Sequence, residues 1–366
     1  MKKIKSATKA LALLLAFVFI FCWHKVVIAS AFFSSFKIIA DGKEYIFYPP
    51  EISYGIDGAS LLGVEGVVSR IVSETEIPAQ DAKAIFNPNN ENPFSYERER
   101  SGKKIDEKEL LKKIDMALSA GITQIKINSK KTTPTLTVSD IKKRTVLIGQ
   151  FSTDYTLSAK ERKNNIELAT KFISGAIVYP NQVFSFNDAV GSRSEERGFL
   201  SAKIIVDGRF VDGVGGGVCQ VSSTLYNAVL LSGLKVVESH NHSLRVDYVK
   251  PSFDAMVNEY GSDLRFKNQF DTPVYIGGYA DGEKITFKIY GEKGKYSYEL
   301  SSEVIETIQA ESCIKKRVTG EEKTVYPKNG LKSEGFLMIY ENGKLIEKRK
   351  LRTDLYKPQN GVIYED

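Results

Sequence analysis

Residues 215–227 read Gly215-Gly216-Gly217-Val218-Cys219-Gln220-Val221-Ser222-Ser223-Thr224-Leu225-Tyr226-Asn227. Three glycines allow tight turns and close approach of a ligand to the backbone. Val221, Leu225 and Val229 recur at spacing four, which predicts a helix beginning after Gly217 with Cys219 on its first turn. There the unpaired backbone amides and the helix dipole favour the thiolate, the nucleophilic form of cysteine. The same amides suit an oxyanion formed during acyl transfer. Gly216, Gly217, Gln220, Ser222, Ser223 and Asn227 line this start and are candidate substrate contacts. Such residues also cap helices and satisfy their backbone.

A second cluster is Ser239-His240-Asn241-His242-Ser243. On a strand, residues two apart share a face, so His240 and His242 are both candidates for the base that deprotonates Cys219 and the acid that protonates a leaving amine. His242 is the preferred base, with His240 supporting the loop or the substrate. An orienting carboxylate is expected, and Asp254 and Asp247 are near in sequence. Two other uses of these residues stand beside the first. Cys219, His240 and His242 form a set that could bind zinc with an open position. Cys219 and Cys313 could form a disulfide, since Cys22 lies in an apolar run. With Leu244, Val246 and Tyr248 continuing the alternation, either histidine could also be an interior residue.

The elements that must position these groups read as α+β. Residues 37–140 form one small unit. A hairpin turns at Asp41-Gly42, a loop rich in Asn and Pro follows at 87–93, and Asp106 with Glu109 caps a helix through Leu110, Ile114 and Leu118. Residues 128–135 read as a linker. The central unit, 145–300, starts with a strand at 146–151 and a helix capped by Ser158 and Glu161. It continues with an extended stretch at 183–186, a hairpin at Asp207-Gly208, the cysteine helix, strand-like residues 235–248 and a hairpin at Asp281-Gly282. A small all-β unit, 301–366, has a hairpin at Asn342-Gly343.

The net charge of +6 is a topology signal. Five of the 51 Lys and Arg lie in the first 25 residues, which leaves 46 against 45 Asp and Glu, so the body is near neutral and no nucleic-acid surface is expected. The basic start precedes apolar runs at 10–23 and 26–33. Residues 1–36 are therefore expected to be a cytoplasmic tip and single-pass membrane anchor, with Lys25 snorkelling, or else a cleaved signal segment ending near Ala29-Ser30-Ala31. Either way the body is expected outside the cytoplasm, at the cell membrane or secreted to the wall.

The motif set resembles the VanW family. The match runs from about Thr145 to Gly291 and includes Val183-Phe184-Ser185-Phe186-Asn187, Gly191-Ser192-Arg193, the whole cysteine segment, His240-Asn241-His242-Ser243 and Asp254-Ala255. Residues 37–140 look like the peptidoglycan-binding domain that often precedes VanW domains, and the tail from about 304 looks like a G5 domain. The family takes its name from an accessory protein of vancomycin-resistance clusters, and in some clostridial members the domain is an L,D-transpeptidase. The resemblance implies peptidoglycan stem peptides as partners, no cofactor, and Cys219 as the nucleophile. The thiolate would attack the carbonyl joining diaminopimelate to a terminal D-Ala, and a second diaminopimelate amine would resolve the thioester. Arg193 is a candidate for the stem carboxylate. A non-catalytic module that only recognises peptidoglycan is the rival expectation.

Overall fold

The computed structural model describes residues 34–55, 58–206, 209–259, 261–316 and 324–365. Residues 1–33, with the basic tip and the apolar runs, lie outside them, as does the Asp207-Gly208 turn. Among the described residues no helix is long and apolar enough to cross a membrane.

The architecture is α+β, and the chain divides into two compact units. The first holds the described residues up to Lys83 together with Arg98–Thr137. Its sheet runs Lys43–Phe47, Phe36–Ala40, Gln124–Ile127, the first pair antiparallel and the second parallel. Asp41 and Gly42 both take positive φ in the turn, the conformation that Asp-Gly tolerates. Helices Val64–Thr75 and Glu107–Ser119 bury Ile71, Leu110 and Ile114 against Phe36 and Ile38. Asp106 caps the second helix, accepting the Glu109 amide at 3.1 Å. The stretch expected as a linker instead contributes the strand Lys130–Thr132, paired with Gly102–Lys104.

The second unit holds Ala84–Glu97 and everything from Val138 onward. Its central sheet is antiparallel, in the order Val146–Asp154, Lys284–Gly291, Val274–Ala280, Ile177–Val178. Ile285, Phe287 and Ile289 alternate inward and meet helices Lys160–Ile173 and Val218–Leu231. Phe94, from the hairpin Lys83–Phe86 and Phe94–Glu97, packs edge-on to Tyr275 and Tyr290. A three-stranded sheet, Val183–Ser185, Arg265–Lys267, Lys235–Glu238, flanks the cysteine helix. The C-terminal sheet, Tyr296–Ile308, Gly330–Glu341, Lys344–Tyr356, sends Leu337 and Ile339 into the same core.

Two local expectations are corrected. Ser158 does not cap the Lys160–Ile173 helix: the N-cap is Ala159, and the Ser158 hydroxyl accepts from Arg162 at 2.7 Å. The strand expected over 235–248 ends at Glu238, so His240 and His242 lie beyond it and do not share a strand face.

Candidate active site

The cysteine helix is buried nearly all round, from Gln220 to Leu230. Its apolar residues Val221, Leu225 and Val229 are completely enclosed, as their spacing requires. Its polar residues are enclosed too, so each must find a partner inside the protein. They find it largely in one segment. Asn227 donates to the Phe253 carbonyl at 2.7 Å, and Ser222 donates to the Ala255 carbonyl. Ser223 accepts the Ala255 amide at 2.9 Å, and the Cys219 thiol donates to the Val257 carbonyl at 3.3 Å. Residues 219, 223 and 227 climb the helix by four, about 6 Å per step. Residues 257, 255 and 253 descend by two, about 6.6 Å per step in extended chain. The two repeats match, and this laces 253–257 along the Cys219 helix.

That lacing places Asp254. It is fully buried and accepts from the His242 ring Nδ1 at 2.6 Å and from the His242 amide at 2.7 Å, both on Oδ2. Its Oδ1 accepts from the Tyr356 hydroxyl at 2.6 Å and from Arg352 at 3.1 Å. His242 is 4 % exposed. With Nδ1 held by Asp254, the other ring nitrogen is the one available to the neighbouring Cys219 sulfur. Burial alone would drive the His242 pKa down, but Asp254 and Cys219 outweigh it and raise it to about 9. Burial pushes the Cys219 thiol up, yet its hydrogen bond with His242 and the charges of His242 and Arg193 hold it below the ordinary thiol range. Burial likewise pushes Asp254 up, and His242, Arg352 and Tyr356 bring it below the ordinary carboxylate value. The set favours a thiolate–imidazolium pair oriented by a carboxylate.

Of the two described histidines, His242 joins Cys219 and His240 does not. His240 has a side chain 44 % exposed and pairs with Glu238 at 3.0 Å. The Cys-His-His zinc set is therefore not assembled, and among the described residues no group of three or more His, Cys, Asp or Glu is placed to hold a metal. Asp247 is exposed and faces Arg245. Cys219 and Cys313 are both free thiols, so no disulfide joins them. Cys219 itself is only partly buried.

The expected substrate contacts around Cys219 are engaged by the protein. Gln220 donates to Thr153 at 3.1 Å and to the Asp154 carbonyl at 2.8 Å, and accepts from Arg162 at 2.7 Å. Ser223 donates to the Cys219 carbonyl, and Asn227 to the Ser223 carbonyl. Gly217 is the N-cap at φ 108°, a left-handed conformation that favours glycine. At Gly216 a Cβ would meet the Lys203 carbonyl oxygen at 2.7 Å. The Val218 and Gln220 amides bond the carbonyls of Gly215 and Gly217. Arg193 donates to Asn187 Oδ1 at 2.6 Å and lies close enough to Cys219 to act on its charge. Arg162, Arg352 and Tyr356 went unread in the sequence, because each reaches the site from another element and no local spacing marks it.

Residues 161–290 match the family model described as VanW like protein. The chain is 41 % identical over 175 residues to the uncharacterized protein YoaR of Bacillus subtilis (strain 168), covering 48 % of this chain and 56 % of that protein. It is 26 % identical over 135 residues to the vancomycin B-type resistance protein VanW of Enterococcus faecalis (strain ATCC 700802 / V583), covering 35 % of this chain and 49 % of that protein. The chain thus spans about half the length of these curated relatives. No solved structure matches it. The match encloses the glycine loop, Cys219, His242 and Asp254, so that residues 161–290 form a VanW-like domain.

Proposed function

We propose that this protein remodels peptidoglycan outside the cytoplasm as a cysteine acyltransferase of the L,D-transpeptidase type. The observation that carries the reading is the arrangement of Cys219, His242 and Asp254 at the start of a buried helix. The cell-wall setting draws support from the VanW-like domain and from the Enterococcus relative's name as a vancomycin-resistance protein. The likeness of the flanking regions to peptidoglycan-binding and G5 domains agrees with it. The basic, then apolar, N-terminal segment would hold the body at the outer face of the membrane or export it.

In this reading the Cys219 thiolate attacks the carbonyl between diaminopimelate and the terminal D-Ala of a tetrapeptide stem. The carbonyl oxygen takes up negative charge beside the helix start, where the Cys219 amide is suited to donate to it. The C–N bond then breaks. His242, as imidazolium, gives its proton to the leaving D-Ala amine, and a thioester remains on Cys219. The amine of a second stem's diaminopimelate attacks the thioester, His242 takes its proton, and the thiolate returns. Asp254 holds the ring in one tautomer throughout both steps.

Incubating the full chain with disaccharide-tetrapeptide muropeptides tests this. The expected result is an acyl mass increase on Cys219 and released D-Ala, both absent from Cys219→Ala. Muropeptide binding with neither product overturns the transferase and leaves a peptidoglycan-recognition module.

A further inference from the structure

Two arginines cross the glycine loop where it lacks side chains. A Cβ on Gly215 would stand 3.3 Å from Arg193 Cβ and 3.5 Å from its Cδ, and one on Gly217 would stand 3.0 Å from Arg162 Cγ. The bare backbone lets both guanidinium stems lie against the loop that begins the Cys219 helix. Arg162 is bonded by neutral groups only, the Ser158 hydroxyl and the Gln220 side-chain Oε1, each at 2.7 Å. Arg193 uses one nitrogen on the Asn187 side-chain Oδ1, and its Nε is buried without any partner.

Among the described residues neither guanidinium lies in a salt bridge. Arg352 shows the contrast, with Asp254 at 3.1 Å and Asp354 at 2.7 Å. The acids nearest Arg193 are occupied. Asp263 accepts from the Ser185 hydroxyl and the Asn187 amide, and Glu259 accepts the Arg193 backbone amide. Burial works against the charge of both arginines, and the Cys219 sulfur favours it. Two part-buried cations with no carboxylate, one with an idle donor, are costly until an anion arrives.

We infer that Arg193, backed by Arg162, forms an anion subsite beside Cys219 that takes the free C-terminal carboxylate of the donor peptide. The inference rests on the acyl-transfer reading above. The carboxylate recognised belongs to the residue that leaves. Donors must therefore end one residue beyond the attacked carbonyl, and chains continuing past that point are excluded. The planar fork of arginine suits two-point binding of a carboxylate.

The first test needs no peptidoglycan. The full chain is alkylated with iodoacetate, an anion, or iodoacetamide, its neutral counterpart, and labelling at Cys219 and Cys313 is followed by peptide mass spectrometry. The iodoacetate-to-iodoacetamide rate ratio is expected to be about tenfold higher at Cys219 than at Cys313, the size of one charged hydrogen bond. Arg193→Gln should collapse that ratio, and Arg193→Lys should restore part of it. A wild-type ratio at Cys219 no higher than at Cys313 overturns the subsite without recourse to any variant. A tetrapeptide donor and its C-terminal amide then separate the two readings. Equal reaction of both overturns the subsite while the transferase stands. Reaction of neither, with a high alkylation ratio, overturns the transferase while the anion subsite stands.

Discussion

His242 Nδ1 lies 2.6 Å from Asp254 Oδ2, and the same oxygen accepts the His242 backbone amide at 2.7 Å. A single carboxylate oxygen thus fixes both the ring and the chain that carries it. The ring cannot turn without losing a charged hydrogen bond inside the core. The other oxygen is held by Tyr356 and Arg352, so the carboxylate cannot turn either.

Asp254→Asn should therefore do two things at once. It removes the main group raising the His242 pKa, which should fall from about 9 toward or below the ordinary histidine value near ~6.5. It also leaves the buried Arg352 and Tyr356 with a poorer acceptor, at a cost on the order of 3 kcal/mol of stability. Histidine NMR titration and denaturant unfolding of the same variant read the two effects. An unchanged His242 titration would contradict the proposed pairing.

The histidines should separate sharply. His242→Ala is expected to lower the rate of Cys219 acylation by about 100-fold or more, the usual loss when a positioned acid–base group is removed. His240→Ala, which removes an exposed ring bonded to Glu238, should stay within a few-fold of wild type. Single-turnover acylation measures both. The reverse order would move the base to His240.

The pH dependence of stability follows from the pair. His242 has its folded-state pKa raised to about 9, so its contribution is whole below ~6.5 and is lost as pH rises through about 9. Cys219 has its folded-state pKa lowered, so its contribution is whole above ~8.5 and is lost as pH falls through the depressed value. Above both ~6.5 and the depressed Cys219 value, and below ~8.5, the folded pair and the unfolded chain each hold one proton, and this pair adds no slope. Denaturant unfolding from pH 5 to pH 10 should show stability declining above about 8.5. The alkaline decline should shrink in His242→Gln, and an equal decline in that variant would exclude the pair as its source.

Ser223 tests the lacing of the helix. Ser223→Ala strips the acceptor from the buried Ala255 amide at 2.9 Å and should cost about 1–3 kcal/mol. Because Ala255 follows Asp254, acylation should slow as well, even though Ser223 takes no part in the chemistry. Thermal unfolding and single-turnover rates check this. Loss of stability with an unchanged rate would show that Asp254 is held without the lacing.

The place of Cys219 on the first turn of a helix was legible in the sequence because its environment is local. Glycines, a helix start and a cysteine within five residues determine where the sulfur sits relative to backbone amides, and spacing four determines the buried face. The α+β class followed from the same local periods. Hairpins at Asp41-Gly42, Asp281-Gly282 and Asn342-Gly343 were readable because turn chemistry acts over four residues. The sequence favours His242 over His240, but what separates the two rings in space, a strand that ends at Glu238, is not written in their spacing. Ser222, Ser223 and Asn227 are bonded to residues 253–257, and Gln220 to Thr153, Asp154 and Arg162, partners that no local spacing reveals. Arg162 and Tyr356 were invisible for the same reason. Tyr356 reaches Asp254 across 102 positions of chain, and only tertiary packing brings such groups together and decides which buried charges find partners.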